Sequence, residues 1–302
     1  MERGQLGQLL RGVVGAVLCL PLVLYGRSQS QRPPRSDLQQ ALFQGVTYER
    51  LSRDAPRPHV IHIVTIDLTV PGVKLFVTPG DSETLPQPDG PTTETSARTV
   101  TEFLQEFDVQ VAINAGYFYL FREKTPWNYY PHSGDRVNVV GQGISAGQPY
   151  SPPQSDWPVL CFDLAHRVQI LEAGTCPPGT VGAISGNTTL PLSEPPAASD
   201  PNRPYGRTIV ATDDAGETLW LIVVDGKQPD YSEGITLTEI APLLTELGAD
   251  IALNLDGGGS TTLVAGFPAQ VKVINAPIHT KWPMRERPVA THLGIYAEPL
   301  SE

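Results

Sequence analysis

The run Ile251-Ala-Leu-Asn-Leu-Asp-Gly-Gly-Gly-Ser-Thr-Thr-Leu-Val264 joins an apolar strand to a glycine turn with no spacer, so a strand must end where the turn begins. Side chains alternate along a strand, which puts Asn254 and Asp256 on one face and Leu253 and Leu255 on the other. Gly257, Gly258 and Gly259 admit positive φ and leave backbone N–H groups unshielded, with the hydroxyls of Ser260, Thr261 and Thr262 behind them. Such a turn suits an anion or a sugar hydroxyl. The simpler alternative is a glycine-rich hairpin with a side-chain-capped turn. A hairpin needs only about two special turn residues, whereas here polar or glycine residues run from Asn254 to Thr262, interrupted by Leu255 alone.

The rest of the chain has to supply a sheet for that strand. A chain of 302 residues with 40% apolar and 18% charged residues can bury a substantial core, and 30 prolines with 28 glycines favour turns and strands over a helical bundle. The predicted fold is α+β: a twisted mixed β-sheet core with a few flanking helices in a single domain over residues 42–302.

The N-terminus differs in kind. Arg3 and Arg11 precede an apolar run from Val13 to Leu24, broken only by Gly15 and Pro21 and too short to span a bilayer comfortably. Residues 1–28 are expected to be a secretory signal peptide, with an N-terminal membrane anchor as the alternative, and residues 29–41 a linker. The protein is then secreted or periplasmic. A formal charge of −11 becomes more negative once Arg3, Arg11, Arg27 and Glu2 are removed, which argues against nucleic acid as a partner. Export would leave Cys161 and Cys176 as the cysteines of the mature chain, each beside a strand-like run. They are predicted to form a disulfide, with two free core thiols as the alternative.

Taken in order, His59–Asp67 is rich in β-branched residues and, with Val73–Thr78 after a Pro-Gly turn, reads as a strand pair. His59 and His62 would face opposite ways on that strand, so a structural role suits them better than joint metal ligation. Residues 80–95 form a proline- and threonine-rich loop. Val100, Phe103, Leu104 and Phe107 recur at helical spacing behind a Thr99/Glu102 capping box. A strand from Val109 then delivers Asn114-Ala-Gly-Tyr-Phe118. The pattern recurs at Thr236–Glu239, with a helix through Leu247, a strand from Asp250 and Asn254 at its tip. This likeness predicts that both Asn-tipped loops leave neighbouring strands at one sheet edge. Pro242 favours a helix start at Thr238 over Thr236.

Aromatics between the two units, including Trp127, Tyr129, Tyr130, His132 and Trp157, suit either sugar stacking or pinning of a loop. Gly143-Ile-Ser-Ala-Gly147 has the spacing of a nucleophile elbow, but Gln148-Pro-Tyr-Ser-Pro-Pro153 cannot begin the helix an elbow requires. Val159–Asp163 with Val168–Leu171 reads as a hairpin. Arg207–Ala211 and Leu219–Val224 read as strands, the second wholly apolar and ending in Asp225-Gly226, and a last strand runs from His292 to Tyr296.

Several pieces in order make the chain resemble the phosphodiester glycosidase family: Asn114-Ala-Gly-Tyr-Phe118, Arg207-Thr208, Val224-Asp225-Gly226, Gly234-x-Thr236-Leu-x-Glu239, Asn254-Leu-Asp-Gly-Gly-Gly-Ser-Thr-Thr262 and Arg287-Pro288-Val289. The resemblance covers roughly residues 60–297. It implies hydrolysis of a sugar C1–O–phosphate bond by an α+β domain. It does not carry over the substrate.

Cleavage at an anomeric carbon builds oxocarbenium character and pushes negative charge onto phosphate, so carboxylates and phosphate clamps are the parts to look for. Asp256 is the first candidate for acid, base or nucleophile, Glu239 the second and Asp225 the third. The alternatives are a turn carboxylate for Asp256 and a helix cap for Glu239. Arg207 and Arg287 are candidates to hold phosphate bidentately, or else ordinary structural ion pairs. Asn114, Gly116, Tyr117, Asn254, Gly257, Gly258, Gly259, Ser260 and Thr261 complete the expected substrate-binding set. No cofactor and no metal is expected. Two other functions remain open: a non-catalytic exopolysaccharide-binding or assembly protein using the same cleft, and a metal-dependent phosphodiesterase cutting P–O rather than C–O.

Overall fold

A computed structural model describes residues 20–81, 94–191, 202–267 and 270–300. Two large antiparallel sheets carry the architecture. In the seven-stranded sheet the order is Leu38–Phe43, Val46–Arg53, His59–Asp67, Thr218–Val224, Arg207–Thr212, Ile251–Asn254 and Thr188–Leu190. In the facing five-stranded sheet it is Gln270–Val273, Leu263–Phe267, Val111–Asn114, His292–Tyr296 and Lys74–Val77. A second five-stranded sheet contains the Val159–Phe162 and Val168–Leu171 hairpin.

The strand Thr218–Val224 shows why so apolar a run is needed. Leu219, Leu221 and Val223 enter a core shared with Ile113, Leu263, Leu293 and Ile295 of the facing sheet. Trp220, Ile222 and Val224 point the other way, into a second core with Ile235, Leu237, Ile240 and Leu244 around the helix Ile240–Leu247. Both faces of the strand are covered, so alternation with polar residues is lost. The outer face of the five-stranded sheet is closed by the helix Val100–Phe107, whose Phe103 and Leu104 pack on Ala112 and Val264. The order is thus helix, sheet, core, sheet, helix, a single α+β body. The strand pairings within both large sheets are antiparallel, and parallel register occurs at the Ile278–Arg285 bridge.

Local signals placed several elements well. The Thr99/Glu102 capping box is formed in both directions. Thr236 and Glu239 exchange the same pair of bonds one turn earlier than the second helix, which begins at Ile240 and keeps Pro242 inside its first turn. Gly143–Ser145 turns into the strand Gln148–Ser151, and the buried Ser145 hydroxyl donates to the Val77 carbonyl, as befits a structural serine.

Other expectations are corrected by pairing across the core. His59–Asp67 and Lys74–Val77 are not partners: the first pairs with Val46–Arg53 and Thr218–Val224, the second with His292–Tyr296 in the opposite sheet. The supposed linker is structured at both ends. Residues 20–30 are helical, and the first strand starts at Leu38, ahead of the expected onset at Leu42, because it pairs with Val46–Arg53. Among the described residues no helix is long and apolar enough to span a membrane. Residues 1–19 and most of the proline- and threonine-rich loop lie outside the described residues.

Cys161 and Cys176 form the expected disulfide, with Cα atoms 5.8 Å apart. It closes a short loop, of sequence separation 15, so reduction is expected to cost about 3 kcal/mol of stability. Urea unfolding with and without reductant measures this. A midpoint that does not move would show that the crosslink constrains nothing.

Candidate active site

The two Asn-tipped loops do not leave neighbouring strands. Val111–Asn114 lies in the five-stranded sheet and Ile251–Asn254 in the seven-stranded one. The glycine turn is the crossover between the sheets, because it leaves the strand Ile251–Asn254 and re-enters at Leu263–Phe267, which pairs with Val111–Asn114. Leu255 N–H donates to the Thr208 carbonyl in one sheet and Asp256 N–H to the Ala115 carbonyl beside the other.

Asn114 is the staple at this junction. Its Nδ2 donates to the Asp256 carbonyl at 2.6 Å, and its Oδ1 accepts from Thr208 Oγ1 at 2.8 Å and from Thr262 N–H at 3.0 Å. Side-chain bonds from both ends of a nearly inaccessible asparagine go to scaffold, so the Asn114 unit supports the Asn254 unit. Asn254 differs: its Nδ2 reaches Asn187 Oδ1 at 2.8 Å and the Tyr117 hydroxyl at 3.3 Å, while its buried Oδ1 has no partner among the described residues.

Asp256 stands at the centre. Its Oδ2 accepts from Ser260 Oγ at 2.5 Å, and Ser260 Oγ accepts in turn from Arg287 Nη1 at 3.1 Å. Burial raises the Asp256 pKa above its ordinary value, opposed by the Arg287 charge and the Ser260 bond. Arg287 is also held through Nε to His279 Nδ1 at 3.2 Å and through Nη2 to the Glu123 carboxylate. Burial, with Arg287 and Arg285 beside it, depresses His279 to about 3, so its imidazole is neutral and accepts at Nδ1. The proton then sits on Nε2, a buried donor without a partner among the described residues.

The glycines are required by close approach. A Cβ at Gly259 would lie 2.3 Å from Arg287 Nη2, and one at Gly258, where φ is +65°, would lie 2.4 Å from the Tyr205 hydroxyl. Gly259→Ala should therefore displace the guanidinium and lower activity about 10²-fold, the scale on which a misplaced positioning group acts, while the melting temperature moves little. Undiminished turnover would show that the arginine is not needed where it lies.

Arg207 begins its strand with a buried guanidinium that donates to the carbonyls of Arg203 at 3.0 Å and Ile235 at 3.4 Å. Among the described residues no carboxylate pairs with it, and burial lowers its pKa. A desolvated, uncompensated guanidinium is prepared for an anion. Tyr117 is near enough for its charge state to be coupled to both Arg207 and Asp256, and burial raises its pKa, keeping the phenol protonated.

The remaining carboxylate candidates are engaged elsewhere. Glu239 is ion-paired with Arg57 and caps Thr236 N–H, which lowers its pKa against the opposing effect of burial. Asp225 is fully buried: Oδ2 meets His62 Nε2 at 2.9 Å, and Oδ1 accepts from Asn275 Nδ2 at 2.9 Å and Ala276 N–H at 2.8 Å. Gly116 lies under the Ser185 carbonyl, with room for no Cβ beyond 3.0 Å. Thr261 and Thr262 contribute buried hydroxyls that lack partners among the described residues. Sequence reasoning missed Glu123, His279 and Lys227. Lys227, at positive φ, stacks its ammonium over Tyr205 and acts electrostatically on Asp256. Lys227 follows the Asp225-Gly226 pair, a signal that could have found it, whereas Glu123 and His279 sit in no periodic or glycine-marked segment and reach the turn through tertiary contact.

Fold and site together define an α+β protein with a carboxylate, two arginines and polar groups without partners among the described residues, gathered where the chain crosses from one sheet to the other. The phosphodiester glycosidase family model matches residues 107–296, and the chain belongs to that family. The zebrafish N-acetylglucosamine-1-phosphodiester alpha-N-acetylglucosaminidase catalytic domain, auto-inhibited by its pro-peptide, shares the fold with a TM-score of 0.55 at 20% identity, over 90% of this chain and 93% of that one. A Burkholderia pseudomallei protein matches with a TM-score of 0.58 at 15% identity, over 81% of this chain and 75% of its own. A hypothetical protein from Synechocystis matches with a TM-score of 0.51 at 17% identity, over 89% of this chain but 64% of its own. No curated protein matches the chain.

Proposed function

We propose that this protein hydrolyses a sugar C1–O–phosphate bond in an extracytoplasmic glycan or glycoconjugate. The observation that carries the reading is Asp256, a carboxylate with a raised pKa that accepts from Ser260, itself held by Arg287, with Arg207, which has no carboxylate partner among the described residues, beginning the strand next to the glycine turn. Arg287 and Arg207 bind the phosphate oxygens, and Asp256 serves the anomeric centre as acid, base or nucleophile. As the C1–O bond breaks, its electron pair goes to the phosphate and positive charge grows on the sugar ring, so arginines at one end and a carboxylate at the other both favour the transition state.

Asn254 and Tyr117 supply polar contacts to sugar hydroxyls, and the glycine turn brings backbone N–H groups to the same cleft. Asn114 and Asp225 act by holding the turn, and Glu239 by capping. The disulfide and the N-terminal apolar run support an oxidising, extracytoplasmic location.

The alternative is a non-catalytic exopolysaccharide-binding or assembly protein, favoured by the exposed aromatic Phe121, whose ring lies against the Arg287 guanidinium. Hydrolysis of a sugar-1-phosphodiester in oxygen-18 water separates the readings. C–O cleavage places the label on the sugar, P–O cleavage places it on phosphate and refutes the proposal, and the absence of product with measurable glycan affinity supports the binding protein.

A further inference from the structure

The polar contacts of the Arg287 side chain come from buried or half-buried parts of the body except one. Ser260 and His279 are inaccessible, but Glu123 projects from the exposed strand Arg122–Thr125 of a hairpin with Asn128–Tyr130, and 27% of its side chain faces solvent. The hairpin is fastened over this arginine. Phe121 lies with its ring 4.6 Å from the Arg287 guanidinium carbon, Arg285 donates to the Pro126 carbonyl and the Tyr129 hydroxyl, and Glu123 Oε1 accepts from Thr280 N–H. A second carboxylate thus sits on the guanidinium from the solvent side, opposite the Ser260 bridge to Asp256.

The proposed reaction changes the charge of the group this arginine would hold. A phosphodiester carries one negative charge. Attack by water at C1 breaks the C1–O bond and leaves the aglycone as a phosphomonoester, which loses a further proton near pH 6 and is a dianion at neutral pH. Resting on the reading above, we propose that Glu123 discriminates between these two states. Its fixed negative charge beside Arg287 tolerates the monoanionic diester and repels the dianionic monoester, so the product is expelled and does not block the cleft. Besides Glu123, the arginine bonds Ser260, which carries it to Asp256, and neutral His279, and the charges of Arg285 and Lys227 act on that same His279. Of these, Arg285 and Lys227 are cations that by themselves favour the dianion, and Glu123 is the group on the solvent side that opposes them.

The test uses the full chain and two probes that contain no sugar and cannot be cleaved at C1: dimethyl phosphate, a monoanion, and methyl phosphate, a dianion at pH 8. Binding is followed by phosphorus NMR titration for wild type, Glu123→Gln and Glu123→Ser, with circular dichroism confirming the fold. Wild type is expected to bind dimethyl phosphate at least as tightly as methyl phosphate. In both variants methyl phosphate should gain about tenfold more than dimethyl phosphate, the effect of removing one nearby unit charge at a partly exposed site. Equal gains for both probes overturn the inference and leave the hydrolase reading standing, as does wild type that binds methyl phosphate more than tenfold tighter. Binding of neither probe by any of the three proteins overturns the inference together with phosphate recognition at Arg287.

Discussion

Asp256→Asn is expected to lower kcat for a sugar-1-phosphodiester by about 10²–10⁴-fold, the range spanned by loss of a positioned acid, base or nucleophile. It should do so without loss of stability. A carboxyl whose folded-state pKa is raised contributes stability below its unfolded pKa, and that contribution disappears as pH rises through the folded pKa. At neutral pH the ionised Asp256 is therefore a cost to folding, set by its burial. Asparagine removes that cost and can still accept from Ser260. The melting temperature at pH 7 should hold or rise while activity collapses, the pattern of a site selected for chemistry over stability. The wild-type acid limb should lie above pH 3.8, the ordinary value from which the Asp256 pKa is raised, if the ionised form does the work. Retained turnover in a folded variant would remove Asp256 from the mechanism.

The second large effect lies away from substrate. Asp225→Ala should destabilise the fold by about 3–5 kcal/mol, because it strips the acceptor from a buried, fully engaged network. His62 Nε2, Asn275 Nδ2 and Ala276 N–H would lose their common partner. The loss propagates in both directions. His62 Nδ1 is bonded at 2.8 Å to the Tyr48 hydroxyl, whose pKa burial pushes up to about 12, so the phenol remains a donor. On the other side, Asn275 accepts from Leu263 N–H and donates to the Thr261 carbonyl, fixing the exit of the glycine turn. Urea unfolding monitored by tryptophan fluorescence measures the shift. A loss below about 1 kcal/mol, the ordinary scale of a point substitution, would mean that water or neighbouring groups satisfy the three donors.

These two residues show how far residue pattern could go. Both were singled out because each ends an apolar strand, and on that ground alone they looked alike. Asp256 proves half-buried and bonded to a serine that an arginine holds, whereas Asp225 is closed off by three donors. Strand-end position is local information. Accessibility depends on what the remainder of the chain lays over it. The Asn114 unit makes the same point: its pattern is real, but Asn114 stands in the opposite sheet and serves as a staple.

By itself the sequence determined the strands with both faces apolar, the capped helix at Thr99, the disulfide pair and the crossing turn with its glycines, because each rests on preferences within a few residues or on apolar periodicity. Only the tertiary structure decided which sheet each strand joined. It also brought His279 and the Glu123 hairpin onto Arg287 and the Lys227 charge to bear on Asp256, and left Arg207 buried without a carboxylate partner among the described residues. His279 is eight positions from Arg287, but the Glu123 contact joins residues at |i−j| of 164. Long-range pairing has no local signature, since any of several strands could have satisfied the same backbone groups.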